Sequence, residues 1–148
     1  MKISGLAHVV LQVRNRERSE AFYHGLLGLP IAARYEPVRS TFFSIGNDHH
    51  CFAIIEVGDD ASLPDPRGAG LRHVAFRLAD SPAELVSVKR RIEAAGATIQ
   101  KILDHGITHS IYVKDPDDNV VELYVDVSDE WKGDASAVVL TPRPLRLE

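Results

Sequence analysis

Short runs of alternating apolar and polar residues dominate this chain, and two longer stretches with a helical period interrupt them. In the first run Val9, Leu11 and Val13 fall on one face of an extended strand, and His8, Val10 and Gln12 on the other, because successive strand side chains point to opposite sides. A second run sets Val74, Phe76 and Leu78 against His73, Ala75 and Arg77, and a late one sets Val121, Leu123 and Val125 against Glu122 and Tyr124. Each run has one continuously apolar face, as expected of a sheet covered by helices. Asn15 is placed to cap a helix with Ala21, Phe22, Leu26 and Leu27 among its apolar positions, ending near Gly28-Leu29-Pro30. Ser81-Pro82-Ala83-Glu84 reads as a capping box with proline at the first helical position. Leu85, Val88, Ile92 and Ala95 then hold a helical period, and Gly96 supplies the stop.

The pattern occurs twice. Leu6-Ala7-His8-Val9-Val10-Leu11 and Leu71-Arg72-His73-Val74-Ala75-Phe76 match in kind and order, and each is followed by a helix and three short strands. The strands are expected near 31–36, 40–46 and 50–57 in the first half, and near 97–103, 108–114 and 119–126 in the second, with Asp115–Asn119 as the last hairpin turn. Each half therefore reads β-α-β-β-β. The polar residues repeat too: His8 to Glu56 spans 48 residues and His73 to Glu122 spans 49. The expectation is one α+β domain over 1–148: module one about 4–57, a linker at 58–70, module two about 71–126, and a tail at 127–148. Trp131 and Val138-Val139-Leu140 suggest that the tail packs on the body, while Pro142 and Pro144 exclude a long helix there.

Composition narrows the function classes. Seventeen Lys and Arg stand against 21 Asp and Glu, a net charge of −4, which is no footprint for nucleic acid or anionic lipid. Cys51 is the single cysteine, so no intrachain disulfide forms. No apolar run approaches the roughly 20 residues of a membrane span, and Met1 to Val13 lacks the layout of a secretory leader. A cytoplasmic protein is expected.

His8, His73 and Glu122 all fall on the polar face opposite the apolar one, two of them related by the repeat. Two imidazoles and a carboxylate suit a divalent first-row metal; with positions left open they suit non-haem Fe(II), and with one water they suit catalytic zinc. A lone strand histidine is ordinarily a hydrogen-bonded core residue; three such residues on one predicted face are not explained that way.

These paired modules resemble the vicinal oxygen chelate superfamily, over roughly residues 4–126. The resemblance implies a curved mixed β-sheet cup around a metal site, with helices on its outer face, and often a homodimer. Within it, three features are most similar to single-domain extradiol ring-cleavage dioxygenases. His49-His50 looks like the pair that carries their acid–base histidine, with His50 the matching member. Asp104-His105-Gly106-Ile107-Thr108-His109-Ser110-Ile111-Tyr112 resembles their His-Gly…Tyr segment, and Tyr112 stands ten residues before Glu122. By this resemblance His8, His73 and Glu122 match the iron ligands, His50 the acid–base residue, and His105 and Tyr112 the groups that hydrogen-bond the substrate oxygens. Asp118 stands where the family usually has glycine, and Cys51 where Asp is common.

The implied reaction is O₂-dependent cleavage of a catechol-type ring at Fe(II), with Mn(II), Zn(II) or Ni(II) as alternative metals and a small aromatic diol and O₂ as partners. Arg77 and Tyr124 are expected to line the pocket, whereas His24 and His109 are read as structural or solvent-exposed. Two rivals stand beside it. Glu56, taken as the repeat partner of Glu122 and on the strand face of His50, would complete a four-ligand site in a glyoxalase-like lyase or isomerase. A metal-free binding or resistance protein is the other.

Overall fold

A computed structural model describes residues 2–78 and 81–148. The chain divides into two compact units, Met1–Leu63 and Pro64–Glu148, and the division falls inside the expected linker.

The first unit contains β1 (Val9–Val13), α1 (Arg16–Glu20), β2 (Ile31–Tyr35), β3 (Ser40–Phe43) and β4 (Phe52–Glu56). They form a mixed sheet in the order β1-β4-β3-β2, with β1 parallel to β4 and the other pairs antiparallel. Asn15 caps α1 as expected, its side-chain oxygen accepting from the Arg18 N–H at 2.9 Å. The helix then widens into a π turn, Ala21–Leu26, closed by the Leu27 N–H on the Phe22 carbonyl and ended at Gly28, whose φ of 82° suits glycine. Widening rotates the helical face, so Phe22 and Tyr23 carry the burial while Ala21 is exposed. Tyr23 packs against Phe52 and Phe43 at 4.9 and 6.2 Å between ring centroids. Truncating a buried aromatic such as Phe52 to alanine would cost about 3–5 kcal/mol.

The second unit repeats the plan with β5 (Val74–Arg77), α2 (Pro82–Ala94), β6 (Ile99–Asp104), β7 (Thr108–Lys114) and β8 (Val120–Asp126), in the order β5-β8-β7-β6. Leu85 and Ile92 of α2 are buried with Ile111, Val113, Val121, Leu123 and Val125. This is the apolar face expected from alternation. Pro82 opens α2, but the Ser81 side chain makes no capping bond; the Glu84 N–H bonds the Ser81 carbonyl instead, so the expected capping box is not formed. In the last hairpin Asp118 adopts φ 64°, which Asp tolerates. Asp115 holds the turn by accepting from the N–H groups of Asp117 and Asn119.

The tail departs from expectation. It makes two short 3₁₀ turns, Glu130–Lys132 and Ala135–Val139, then β9 (Arg143–Pro144), which pairs antiparallel with β6. Anchoring comes from that backbone pairing. Of its apolar side chains Ala137 is buried and Leu140 lies against Gly106, but Trp131, Val138, Val139 and Leu140 stay 45–80% exposed, so the expected packing of the tail on the body is partial. No helix of the described residues is long and apolar enough to cross a membrane.

Candidate metal centre

The site-bearing face of the second unit follows from its register. Glu122 of β8 pairs with Ala75 of β5 on one side and Tyr112 of β7 on the other, and Tyr124 pairs with Arg77 and Ser110. Residues two apart share a face, so Glu122, Tyr124 and Asp126 rise in line, flanked by Tyr112, Ser110 and Thr108. His73 leads into β5 and sets its Nε2 3.0 Å from a Glu122 carboxylate oxygen. Its ring meets the edge of Tyr112 at 5.7 Å, and Tyr112 Oη lies 3.0 Å from His105 Nε2. Four of the six expected site residues therefore form one connected group.

Burial and the neighbouring Glu122 carboxylate push the Tyr112 phenol well above its ordinary pKa, so it keeps its proton. A phenol has one proton to give. With Tyr112 donating to Glu122, the His105 contact assigns the ring proton to Nε2, which donates to the phenol oxygen. The ammonium of Lys101, paired across the strand with Tyr112, sits 4.4 Å from the centre of that ring.

The first unit brings His8 and His50 together, with ring centroids 4.5 Å apart. His50 precedes β4 rather than opening it. Phe42 meets its ring edge-on at 5.1 Å, and its Nδ1 lies 2.6 Å from Nδ1 of His49. Desolvation, then the neighbouring His49 and His8, hold its pKa below the ordinary histidine value. Of the histidines read as structural or exposed, His24 Nδ1 bonds the Leu29 carbonyl at 2.8 Å, and His109 lies 3.6 Å from Asp104.

Glu56 does not occupy the place the spacing implied. His8 and His73 head equivalent strands, and the residue opposite Val10 is Ala53, just as the residue opposite Ala75 is Glu122. Glu56 pairs with Val13, three residues further on, in the alternate set of Phe52 and Ile54 that packs under the helix. Its carboxylate accepts from the Arg16 N–H at 2.8 Å and from Arg39 Nε at 2.5 Å. Those bonds, led by Arg39, hold its pKa below the ordinary carboxylate range.

Among the described residues no three His, Cys, Asp or Glu side chains gather into a ready cation cage, so the His73–Glu122 pair carries the test of fit. Bonds of about 2.1 Å from nitrogen and oxygen ligands put cis neighbours on an octahedral ion about 3 Å apart. The pair stands at 3.0 Å and meets that requirement. Beside it lies a cavity of about 370 Å³ lined by Arg77, Ile107, Thr108, Glu122, Tyr124, Asp126, Trp131 and Val138. Arg77 and Tyr124 line it as expected. Thr108 and Asp126 were legible as same-face neighbours of Glu122, whereas Trp131 and Val138, legible as apolar tail residues, carry no signal that assigns them to this cavity.

The model of the Glyoxalase/Bleomycin resistance protein/Dioxygenase superfamily matches residues 5–123, and the chain belongs to that superfamily. It is 30% identical over 120 residues to biphenyl-2,3-diol 1,2-dioxygenase 2 of Rhodococcus globerulus, matching 81% of this chain and 62% of that one. The chain thus spans under two thirds of that relative's length. It is 31% identical to glutathione transferase FosA of Serratia marcescens, matching 83% of this chain and 82% of that one. In fold it is similar to the fosfomycin resistance protein FosX of Listeria monocytogenes, solved as a mutant with Mn(II) and a dihydroxypropylphosphonic acid. The TM-score is 0.67 at 23% identity, covering 87% and 95% of the two chains.

Proposed function

We propose that this protein is an Fe(II)-dependent extradiol dioxygenase that opens the ring of a catechol-type substrate with O₂, with His73 and Glu122 among the ligands of its metal. The observation that carries this reading is the connected group His105–Tyr112–Glu122–His73 beside a cavity. A lone metal site would need only its ligands; the phenol beside them, backed by the His105 imidazole, suits the binding of a substrate oxygen. Bound Fe(II) would supply a Lewis-acidic centre that gathers the diol and O₂ and carries the electron transfer between them.

The chain's own groups do the rest. His50, its pKa held below the ordinary histidine value, is neutral at neutral pH, the form in which an imidazole accepts a proton. Tyr112, kept protonated, turns its one proton from Glu122 to a substrate oxygen once Glu122 serves as a ligand, and His105 fixes the position of that phenol. Both atoms of O₂ enter the product as one ring carbon–carbon bond breaks, so no external reductant is needed. Glu56 weighs against the four-ligand isomerase, because its carboxylate is already engaged by Arg39 and the start of α1.

The test is anaerobic loading with Fe(II), followed by O₂ and a panel of catechols, read by the visible absorbance of ring-fission products. Yellow product from at least one catechol is expected. No product across the panel, together with turnover of methylglyoxal–glutathione or of fosfomycin with glutathione, overturns the reading.

A further inference from the structure

Lys101 owes its place beside Tyr112 to a bulge in β6. Ile99 pairs with Val113 and Lys101 with Tyr112, so β6 advances two residues while β7 advances one, and Gln100 is the extra residue. In unbroken register Gln100 would stand opposite Tyr112, and Lys101 opposite Ile111, which is fully buried in the apolar face. The bulge turns the lysine to the polar face instead, as bulges beside functional sites re-aim a side chain. Ala75, Glu122, Tyr112 and Lys101 then stand in one row across β5, β8, β7 and β6, with about 4.8 Å between neighbouring strands.

The first unit shows that the bulge does not by itself call for a cation. β2 carries the same irregularity, with Ile31 opposite Phe43 and Ala33 opposite Phe42, and Phe42 pairs in turn with Ala53. Ala33, Phe42 and Ala53 thus hold the places of Lys101, Tyr112 and Glu122. Where carboxylate and phenol are absent, the bulged strand offers alanine; where both are present, it offers lysine. The Lys101 ammonium lies 4.4 Å from the centre of the Tyr112 ring. Among the described residues it joins no ion pair, unlike the ammonium groups of Lys89, Lys114 and Lys132.

We propose that Lys101 is a positioning residue for Tyr112: its ammonium, brought over the ring by the β6 bulge, fixes the plane of the phenol and with it the direction in which the hydroxyl points. The task of that hydroxyl rests on the dioxygenase reading; the contact of ammonium with ring does not. A cation is drawn to the negative face of an aromatic ring. His105 holds the phenol oxygen at 3.0 Å, but a bond at that one atom leaves the ring free to turn about its long axis. The hydroxyl hydrogen of a phenol prefers the ring plane, so a cation that holds the plane also aims the proton.

The experiment measures catechol turnover by the Fe(II)-loaded parent, Lys101→Met, Lys101→Arg and Tyr112→Phe, and by Lys101→Met in the Tyr112→Phe background. Methionine keeps the length of the side chain and removes the charge. Lys101→Met is expected to lower kcat about two- to fivefold, the factor a partly exposed cation–π contact is worth, with KM unchanged, and Lys101→Arg should restore most of it. Phenylalanine keeps the ring but has no hydroxyl, so Lys101→Met should cost nothing further in that background. An equal loss in both backgrounds, or a change confined to KM, overturns the positioning role. A second measurement reads the contact without turnover. In the protein as isolated, isotope-labelled at tyrosine Cζ, the Tyr112 resonance is assigned by its absence in Tyr112→Phe. It should shift in Lys101→Met and return in Lys101→Arg. A resonance that stays in place overturns the role of Lys101 and leaves the dioxygenase reading to stand on catechol cleavage. If no catechol is cleaved while the resonance shifts and returns, the dioxygenase reading fails and the bracing of the ring stands.

Discussion

The two units share one strand order and one helix placement, yet they use their carboxylates in opposite ways. In the second unit Glu122 sits opposite Ala75, on the polar face, against His73 and Tyr112. In the first unit the equivalent position is Ala53, and Glu56 lies in the alternate set, under the helix, where Arg39 and the Arg16 N–H engage it. The stretch from His8 to Ala53 is four residues shorter than that from His73 to Glu122. A carboxylate displaced by three residues changes face, because strand alternation has a period of two. The duplicated scaffold thus carries a carboxylate on the polar face in one half and one under the helix in the other.

The largest expected effect tests that contrast at its centre. Glu122→Gln should weaken metal binding by more than about a hundredfold, since outer-shell changes alone cost 10–100-fold, while Glu56→Gln leaves metal content near that of the parent. Elemental analysis after loading and desalting measures both; equal loss in the two variants would break the comparison. Next, Tyr112→Phe should lower kcat by about 10–100-fold with metal content retained, as expected for removal of one positioned donor. Retained kcat would show the phenol to be packing only.

A smaller effect belongs to stability. Glu56→Gln should destabilise the first unit by about 1–2 kcal/mol, the scale of a charge-assisted hydrogen bond tempered by a half-exposed Arg39. Hydrogen exchange of the β1 and β4 amides would register it, and unchanged protection would refute the clamp. The smallest effect is its pH dependence. Arg34, through its hydrogen bond, lowers the Glu20 pKa, and Arg39 lowers that of Glu56, both below 4.5. Depressed carboxylates contribute stability that is present above their unfolded pKa and lost as pH falls through the folded one. Protection in the first unit should therefore fall below about pH 4.5, and less steeply in Glu56→Gln.

Periodicity made the strands, the cap at Asn15, Pro82 at the start of α2 and the repeat legible, because each is encoded within a few neighbouring residues. The apolar faces of β1, β5 and β8 were read correctly for the same reason. The His105…Tyr112…Glu122 spacing placed three residues that do meet, since β7 and β8 are joined by a tight hairpin that fixes their register. The π turn after Glu20 and the missing side-chain bond at Ser81 were not legible; both depend on small adjustments of backbone that composition does not record.

Sequence alone, then, determined the family, the two-module plan and the residue types of the candidate metal centre. Only the tertiary structure decided which carboxylate belongs to the polar face, because the pairing of β1 with β4 joins segments more than forty residues apart and no local pattern sets that register. It also decided the far wall of the cavity. Trp131 and Val138 reach it because β9 pairs with β6, a contact made by backbone hydrogen bonds and therefore silent in the side-chain pattern.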